Sequence, residues 1–147
     1  MTDAGSLERF VDAQDPVYDQ VCRELGRGQK RGHWMWFIFP QLAGRSTNPS
    51  MMSQRYAVRD LRHSRALLEH PVLGERLRVS TQTVLRHTEK SPEAIFGVPD
   101  FLKFHSCMTL FAHITGPESC FQRALDAFYD GAPDTRTLEL VERHSGS

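Results

Sequence analysis

Apolar residues recur along most of the chain at the three-and-four spacing of a helical face, and no convincing two-residue alternation marks a sheet. Leu7, Phe10 and Val11 share one face behind Ser6, a capping residue type. Asp15-Pro16 places a cap and a first-turn proline ahead of Val17, Val21, Cys22 and Leu25, and Gly26 and Gly28 end that run. Ala57, Leu61, Ser64 and Leu68 form a stripe closed by His70-Pro71, and Pro71 opens a helix carrying Leu73, Leu77, Val84 and Leu85. Ser91-Pro92-Glu93 followed by Gly97 reads as one capped turn. Pro99-Asp100 starts the clearest amphipathic pattern, with Phe101, Phe104, Met108 and Phe111 on one face. Lys103, Ser106, Thr109 or Leu110, and His113 lie opposite. Gly116-Pro117-Glu118 stops that helix, Phe121, Ala124, Leu125 and Phe128 face inward on the next, and Asp134 caps a last one with Leu138 and Val141. Seven or eight helices without a sheet predict an all-α fold over residues 1–147, a single domain with residues 1–5 and 145–147 frayed.

Two stretches interrupt this regularity. Trp34 to Phe39 is a continuous apolar run between Gly32 and Pro40 that fits a buried strand or a buried helical turn. With no second strand to pair with it, the reading is a helix or an irregular buried segment. Leu42 to Ser53 carries Gly44, Ser46, Thr47, Asn48, Pro49 and Ser50, turn chemistry throughout, and reads as a long loop.

Composition narrows the class. The chain of 147 residues is 39% apolar and 24% charged, which suits one globular domain. Eighteen basic residues balance eighteen acidic ones, so no broad attraction to nucleic acid is expected. A nucleic-acid face would need Arg23, Arg27, Lys30, Arg31, Arg55, Arg59 and Arg62 on one side. Cys22, Cys107 and Cys120 are odd in number and lack CxxC spacing, which predicts reduced thiols and a cytoplasmic protein. No apolar run reaches the ~20 residues of a membrane span.

Candidate chemistry gathers in two places. Lys30 and Arg31 stand among glycines just ahead of His33, Trp34 and Trp36, an arrangement that can cradle an anion and stack a planar ring, or equally cap the preceding helix and fill the core. On the Pro99 helix, Asp100 precedes Lys103 by three residues, close enough to pair, with Ser106 further along. A lysine, a hydroxyl and a carboxylate on one face can hold a phosphate or orient a water, and a solvated face would look the same. His105 and Cys107 are about 200° apart on a helix and cannot share a metal. Neither a metal site nor a cofactor is expected.

The string Lys30-Arg31-Gly32-His33-Trp34-Met35-Trp36-Phe37-Ile38-Phe39-Pro40-Gln41 resembles a bacterial family, the domain of unknown function numbered 1810, some of whose members are labelled calpastatin. Ser46 with Tyr56, His70-Pro71-Val72-Leu73-Gly74, Arg76-Leu77, Phe96-Gly97 and Met108-Thr109-Leu110-Phe111 extend the resemblance from Leu7 to Tyr129. It implies a mostly helical cytoplasmic domain and no established activity. Where the family pattern has serine before Ser106, this chain has His105. At the level of fold alone, the layout is reminiscent of NADAR-type enzymes acting on ADP-ribose N-glycosidic bonds.

Together these features predict a pocket between the Lys30–Gln41 stretch and the Asp100–His113 helix. Lys30, Arg31 and Lys103 would hold the anion of a phosphorylated or nucleotide-like molecule, Trp34 or Trp36 its ring, with Gln41, Ser46, Tyr56 and Ser106 as further contacts. Asp100, helped by His33, would position water if the molecule is hydrolysed. The rival is a non-enzymatic module in which the Gly44–Ser53 loop and the aromatic stretch form a peptide groove. The sequence assigns no oligomeric state.

Overall fold

Several helices start where a side chain takes up unpaired backbone N–H groups, whereas those beginning at Tyr18, Met35 and Asp100 start without one. A computed structural model describes residues 3–45 and 50–145. Over these residues run α1 (Asp3–Gln14), α2 (Tyr18–Gly26), α3 (Met35–Ile38), α4 (Met51–Arg55) and α5 (Leu61–Glu69). There follow α6 (Leu73–Val84), a 3-10 turn (Leu85–His87), α7 (Pro92–Phe96), α8 (Asp100–Thr115), α9 (Cys120–Tyr129) and α10 (Thr135–Ser145). Among the described residues the fold is all-α, with one isolated parallel bridge, Leu42 to Val58, and no strand.

Ser91 caps α7 through the Ala94 N–H and Asp134 accepts from Thr137 N at the start of α10, as the sequence leads one to expect, whereas α9 starts after the Gly116-Pro117-Glu118 stop, at Cys120, capped by Ser119 through Gln122 N. Other starts differ. α1 begins at Asp3, so Ser6 lies inside it. α2 begins at Tyr18, and Asp15 receives the Arg76 guanidinium at 2.8 Å instead of capping. α5 begins at Leu61 rather than near Ala57, because the Asp60 carboxylate accepts from His63 N and fixes the start there. Ahead of α6 the His70 ring replaces a hydroxyl cap, its Nδ1 accepting from Val72 N and Leu73 N, both at 3.2 Å. The expected long loop contains α4, capped by Ser50 through Ser53 N at 3.1 Å. Ser46 to Pro49 lie outside the described residues, as do residues 1–2 and 146–147, while residues 3–5 and 145, expected to fray, are helical as parts of α1 and α10.

α8 is the axis of the fold. α5, α7, α9 and α10 pack around it, and it is buried from Ser106 to Ala112 without a solvated face. This overturns the expectation of a polar face opposite the phenylalanines. Of that set only Lys103 and His113 reach solvent, while Ser106 and Thr109 are sealed in with their hydroxyls bonded internally. Phe104 stacks on Phe96 with centroids 4.5 Å apart and meets Phe39 edge-on at 5.0 Å.

The aromatic stretch folds as the single turn α3 within buried irregular chain, and it packs into two regions of one core. Trp34 and Phe39 join the α8 cluster, whereas Phe37 turns to Tyr56, 5.3 Å away, which in turn meets Phe10 at 5.7 Å. The buried Gln14 amide donates to the Phe37 carbonyl at 2.8 Å, satisfying an end of α3 and pinning α1 over it. No described helix is long and apolar enough to cross a membrane.

Candidate functional site

The loop from Gly28 to Trp34 has donors in plenty, and an internal anion uses them. Glu24, on the inner face of α2, is 3% exposed. Its Oε1 accepts from Arg31 N at 2.8 Å, Gly32 N at 2.9 Å and Trp34 Nε1 at 2.9 Å, and its Oε2 accepts from Gln20 Nε2 at 2.7 Å. Burial alone pushes this carboxyl up. The bonds from Gly32, Arg31, Gln20 and Trp34 outweigh that and hold it at about 2. Gly32 is required by crowding, since a Cβ there would stand 2.7 Å from Gln20 Nε2 and 2.8 Å from Trp34 Cδ1. The anion cradle expected of this loop is therefore filled by the chain's own carboxylate. Glu24 escaped sequence reasoning because a glutamate on an amphipathic helix reads as solvated. The available signal was a glycine-rich run of donors with no carboxylate in its own sequence.

Beside this knot the stretch and α8 meet in a seam of paired charges. Lys30 Nζ lies 2.7 Å from Asp100 Oδ2, and Lys103 Nζ lies 3.1 Å from Asp100 Oδ1. Lys30 also donates to the Gly32 carbonyl and sits 5.1 Å from the Trp34 ring centre, and Lys103 sits 4.8 Å from that of Trp36. Asp100 occupies the first turn of α8, where the helix dipole favours a carboxylate. Trp34 thus has a cation over its face and an anion at its N–H edge, which matches the ring's own charge distribution. Lys30, Trp34, Trp36, Asp100 and Lys103, drawn from both candidate stretches, are brought together here.

They meet as a packed seam rather than the expected open pocket. Trp34 is 2% exposed and its N–H is spent on Glu24, so it is core and presents no face to a ligand. Trp36 and Lys103 remain half-buried at the outer end of the seam. Lys30, its side chain 7% exposed, belongs to no open basic face. Arg31 and His33 are exposed. The Arg31 guanidinium makes one long contact, 3.4 Å to Gln29, and the His33 side chain makes no hydrogen bond or ion pair among the described residues, so it stands apart from Asp100.

The remaining candidates lie elsewhere. Gln41 lines a separate cavity of about 210 Å³ with Arg45, Ser53 and Gln54. Tyr56 is buried in the Phe10–Phe37 cluster, and Ser46 lies outside the described residues. Ser106, expected as a ligand contact, is fully buried and bonds Thr137 Oγ1 at 2.9 Å. Thr137 donates to Asp134 Oδ2, and Asp134 receives the Arg45 fork at 2.7 and 3.0 Å. Burial pushes the Asp134 carboxyl up, but the Arg45 and Thr137 bonds win and hold it below its ordinary range. This chain of contacts ties α8 and α10 to the segment after α3. His105 stacks flat on Tyr129 at 4.0 Å and bonds the Ala132 carbonyl at 2.7 Å, a brace for the α9–α10 turn. Burial pushes the Cys107 thiol well up, which suits a core residue. No group of acidic, histidine or cysteine side chains among the described residues is placed to hold a metal.

The architecture is similar to that in the crystal structure of the conserved hypothetical protein Rv1873 from Mycobacterium tuberculosis. The TM-score is 0.87 and the identity 47%, over 92% of this chain and 95% of that one. No curated protein matches the chain. The family model described as Protein of unknown function (DUF1810) matches residues 4–141, a span that takes in the Glu24 knot, the Lys30–Asp100 seam and the Asp134 network. The chain belongs to this family.

Proposed function

We propose that the outer end of the seam binds a small phosphorylated or nucleotide-like molecule, its anion on Lys103 and its ring against Trp36. The supporting observation is one of charge: two ammonium groups converge on the single Asp100 carboxylate, leaving positive charge beside a half-buried indole. Exposed Arg31 and His33 follow in the adjoining loop and add donors for an anion. Binding is favoured over hydrolysis by the same contacts. Both Asp100 oxygens already face ammonium groups, so activating a water would require one lysine to let go first.

A thermal-shift screen against nucleotides, ADP-ribose, NAD and sugar phosphates tests this reading, since a ligand of the folded state raises the melting temperature. A hit that disappears in Lys103→Met and in Trp36→Ala supports it; a hit that survives both overturns the site. A second reading rests on Val98 and Leu102, which are 78% and 43% exposed and flank Asp100 in sequence. They suit a protein-interaction surface, the reading favoured by a flat screen from a folded sample.

A further inference from the structure

We infer that the groove between α5, α6 and the C-terminal end of α8 is a second binding site, for the acidic head group of a small aliphatic molecule. The groove is open to solvent, offers about 570 Å³ and is lined by Arg65, Leu68, Glu69, Arg78, Ile114 and Thr115. The cavities at Gln41 and at His113 hold about 210 and 250 Å³. A space of this size lies in the range that encloses small-molecule ligands.

Gly74 sets the groove's shape. A Cβ there would fall 1.9 Å from the Leu68 carbonyl oxygen, so only glycine lets the first turn of α6 close on the end of α5. That approach carries Arg78 against the same carbonyl at 3.4 Å, its one hydrogen bond among the described residues. Across the groove Arg65 makes no hydrogen bond or ion pair among those residues, and Glu69, one turn later, pairs with neither arginine. Two guanidinium forks on different helices thus border one concave space with a single carboxylate beside them. Such forks match the paired oxygens of a phosphate or carboxylate. The rest of the lining is aliphatic: Leu68 is buried and Ile114 half-buried, while the Thr115 hydroxyl is spent on the Phe111 carbonyl at 2.6 Å. No aromatic ring lines the groove, which selects an aliphatic body over a planar one. The ligand class therefore differs from the ring-bearing anion proposed at Trp36, and neither proposal depends on the other.

The test is an NMR titration with octyl phosphate and with octanoate, each kept below micelle formation. Inorganic phosphate controls for the head group and octanol for the chain. We expect saturable shifts at the amides of Leu68, Glu69, Ile114 and Thr115. Binding should weaken at least about tenfold in Arg65→Ala/Arg78→Gln, since each fork supplies charge-assisted hydrogen bonds, and stay unchanged in Lys103→Met. The preferred amphiphile names the head group. Should the double variant fold poorly, Arg65→Gln alone on the exposed face of α5 carries the same comparison. Absence of saturable shifts at those amides, undiminished binding in the arginine variants, or octanol binding as tightly as the acids would each overturn the inference.

Discussion

A buried carboxylate, Glu24, and a half-buried one, Asp134, each organise a region of this molecule, and they are stabilised by different means. Asp134 is held by a cation: the Arg45 fork grips it, and Thr137 adds a backbone and a hydroxyl bond. Glu24 has no cation among its described partners. Two backbone N–H groups, an indole and an amide satisfy it instead, and those dipoles hold it ionised. A charge held by an ion pair depends on one side chain, whereas a charge held by dipoles depends on the conformation of a whole loop. The Gly28–Trp34 loop is thus folded around Glu24, while α10 is clipped to the structure through Asp134. The lesson concerns basic, glycine-rich loops in general: exposed donors in a sequence mark an anion site only after internal carboxylates have been counted.

Substituting Glu24 tests that contrast most severely. Glu24→Gln keeps the shape but turns an amide N–H toward groups that also donate, and we expect a loss of roughly 3 kcal/mol in urea unfolding at neutral pH. A loss under about 1 kcal/mol would mean that the loop holds its form without the charge. Acid should reproduce the effect in the native chain. The Glu24 carboxyl lies at about 2 when folded against an ordinary value of 4.5, so its stabilisation is complete above that value and disappears as pH falls toward 2. The contribution lost is roughly 3 kcal/mol, and Glu24→Gln should flatten that part of the stability–pH curve. Asp134 is depressed in the same direction and steepens the same acid limb. At neutral pH, Asp134→Asn should cost about 2 kcal/mol, less than Glu24→Gln, because it keeps one acceptor for the Thr137 donors. Equal losses from the two variants would erase the distinction. Smallest are the seam lysines: Lys30→Met should cost about 1 kcal/mol and Lys103→Met within about 0.5, since Lys103 is the more exposed of the two. The reverse order would show that the Lys103 contact with Trp36, rather than the Lys30–Asp100 pair, holds α8 to the aromatic stretch.

Much of the helical layout was legible because its signals are local. Ser91 and Asp134 cap from within their own turn, and the inward face of Phe121, Ala124, Leu125 and Phe128 follows from spacing alone. The errors arose where a distant partner decided the outcome. Asp15 looks like a cap in sequence, but the Arg76 side chain takes it. Ser106 and Thr109 look solvated, yet α8 is buried from Ser106 to Ala112 and their hydroxyls close internal bonds. In the candidate site, the pairing of Asp100 with Lys103 could be read from their three-residue separation. The arrival of Lys30 on the same carboxylate could not, because seventy residues of chain separate them and a tertiary contact, the Lys30 N–H bond to the Ile95 carbonyl of α7, helps bring them together. Glu24 was the largest omission, since its periodicity matches that of any surface glutamate.

The unlike settings of the two tryptophans make the site its own optical reporter. Trp34, sealed between Lys30 and Glu24, should emit as a buried indole that soluble quenchers do not reach, while Trp36 at the rim emits further to the red and is quenched first. With no other tryptophan in the chain, the two emissions divide cleanly between loop and rim. Collapse of the Glu24 knot would expose the first, and a molecule settling on Lys103 would shield the second. Unfolding of the loop and occupation of the site can therefore be followed in one cuvette without attaching a dye.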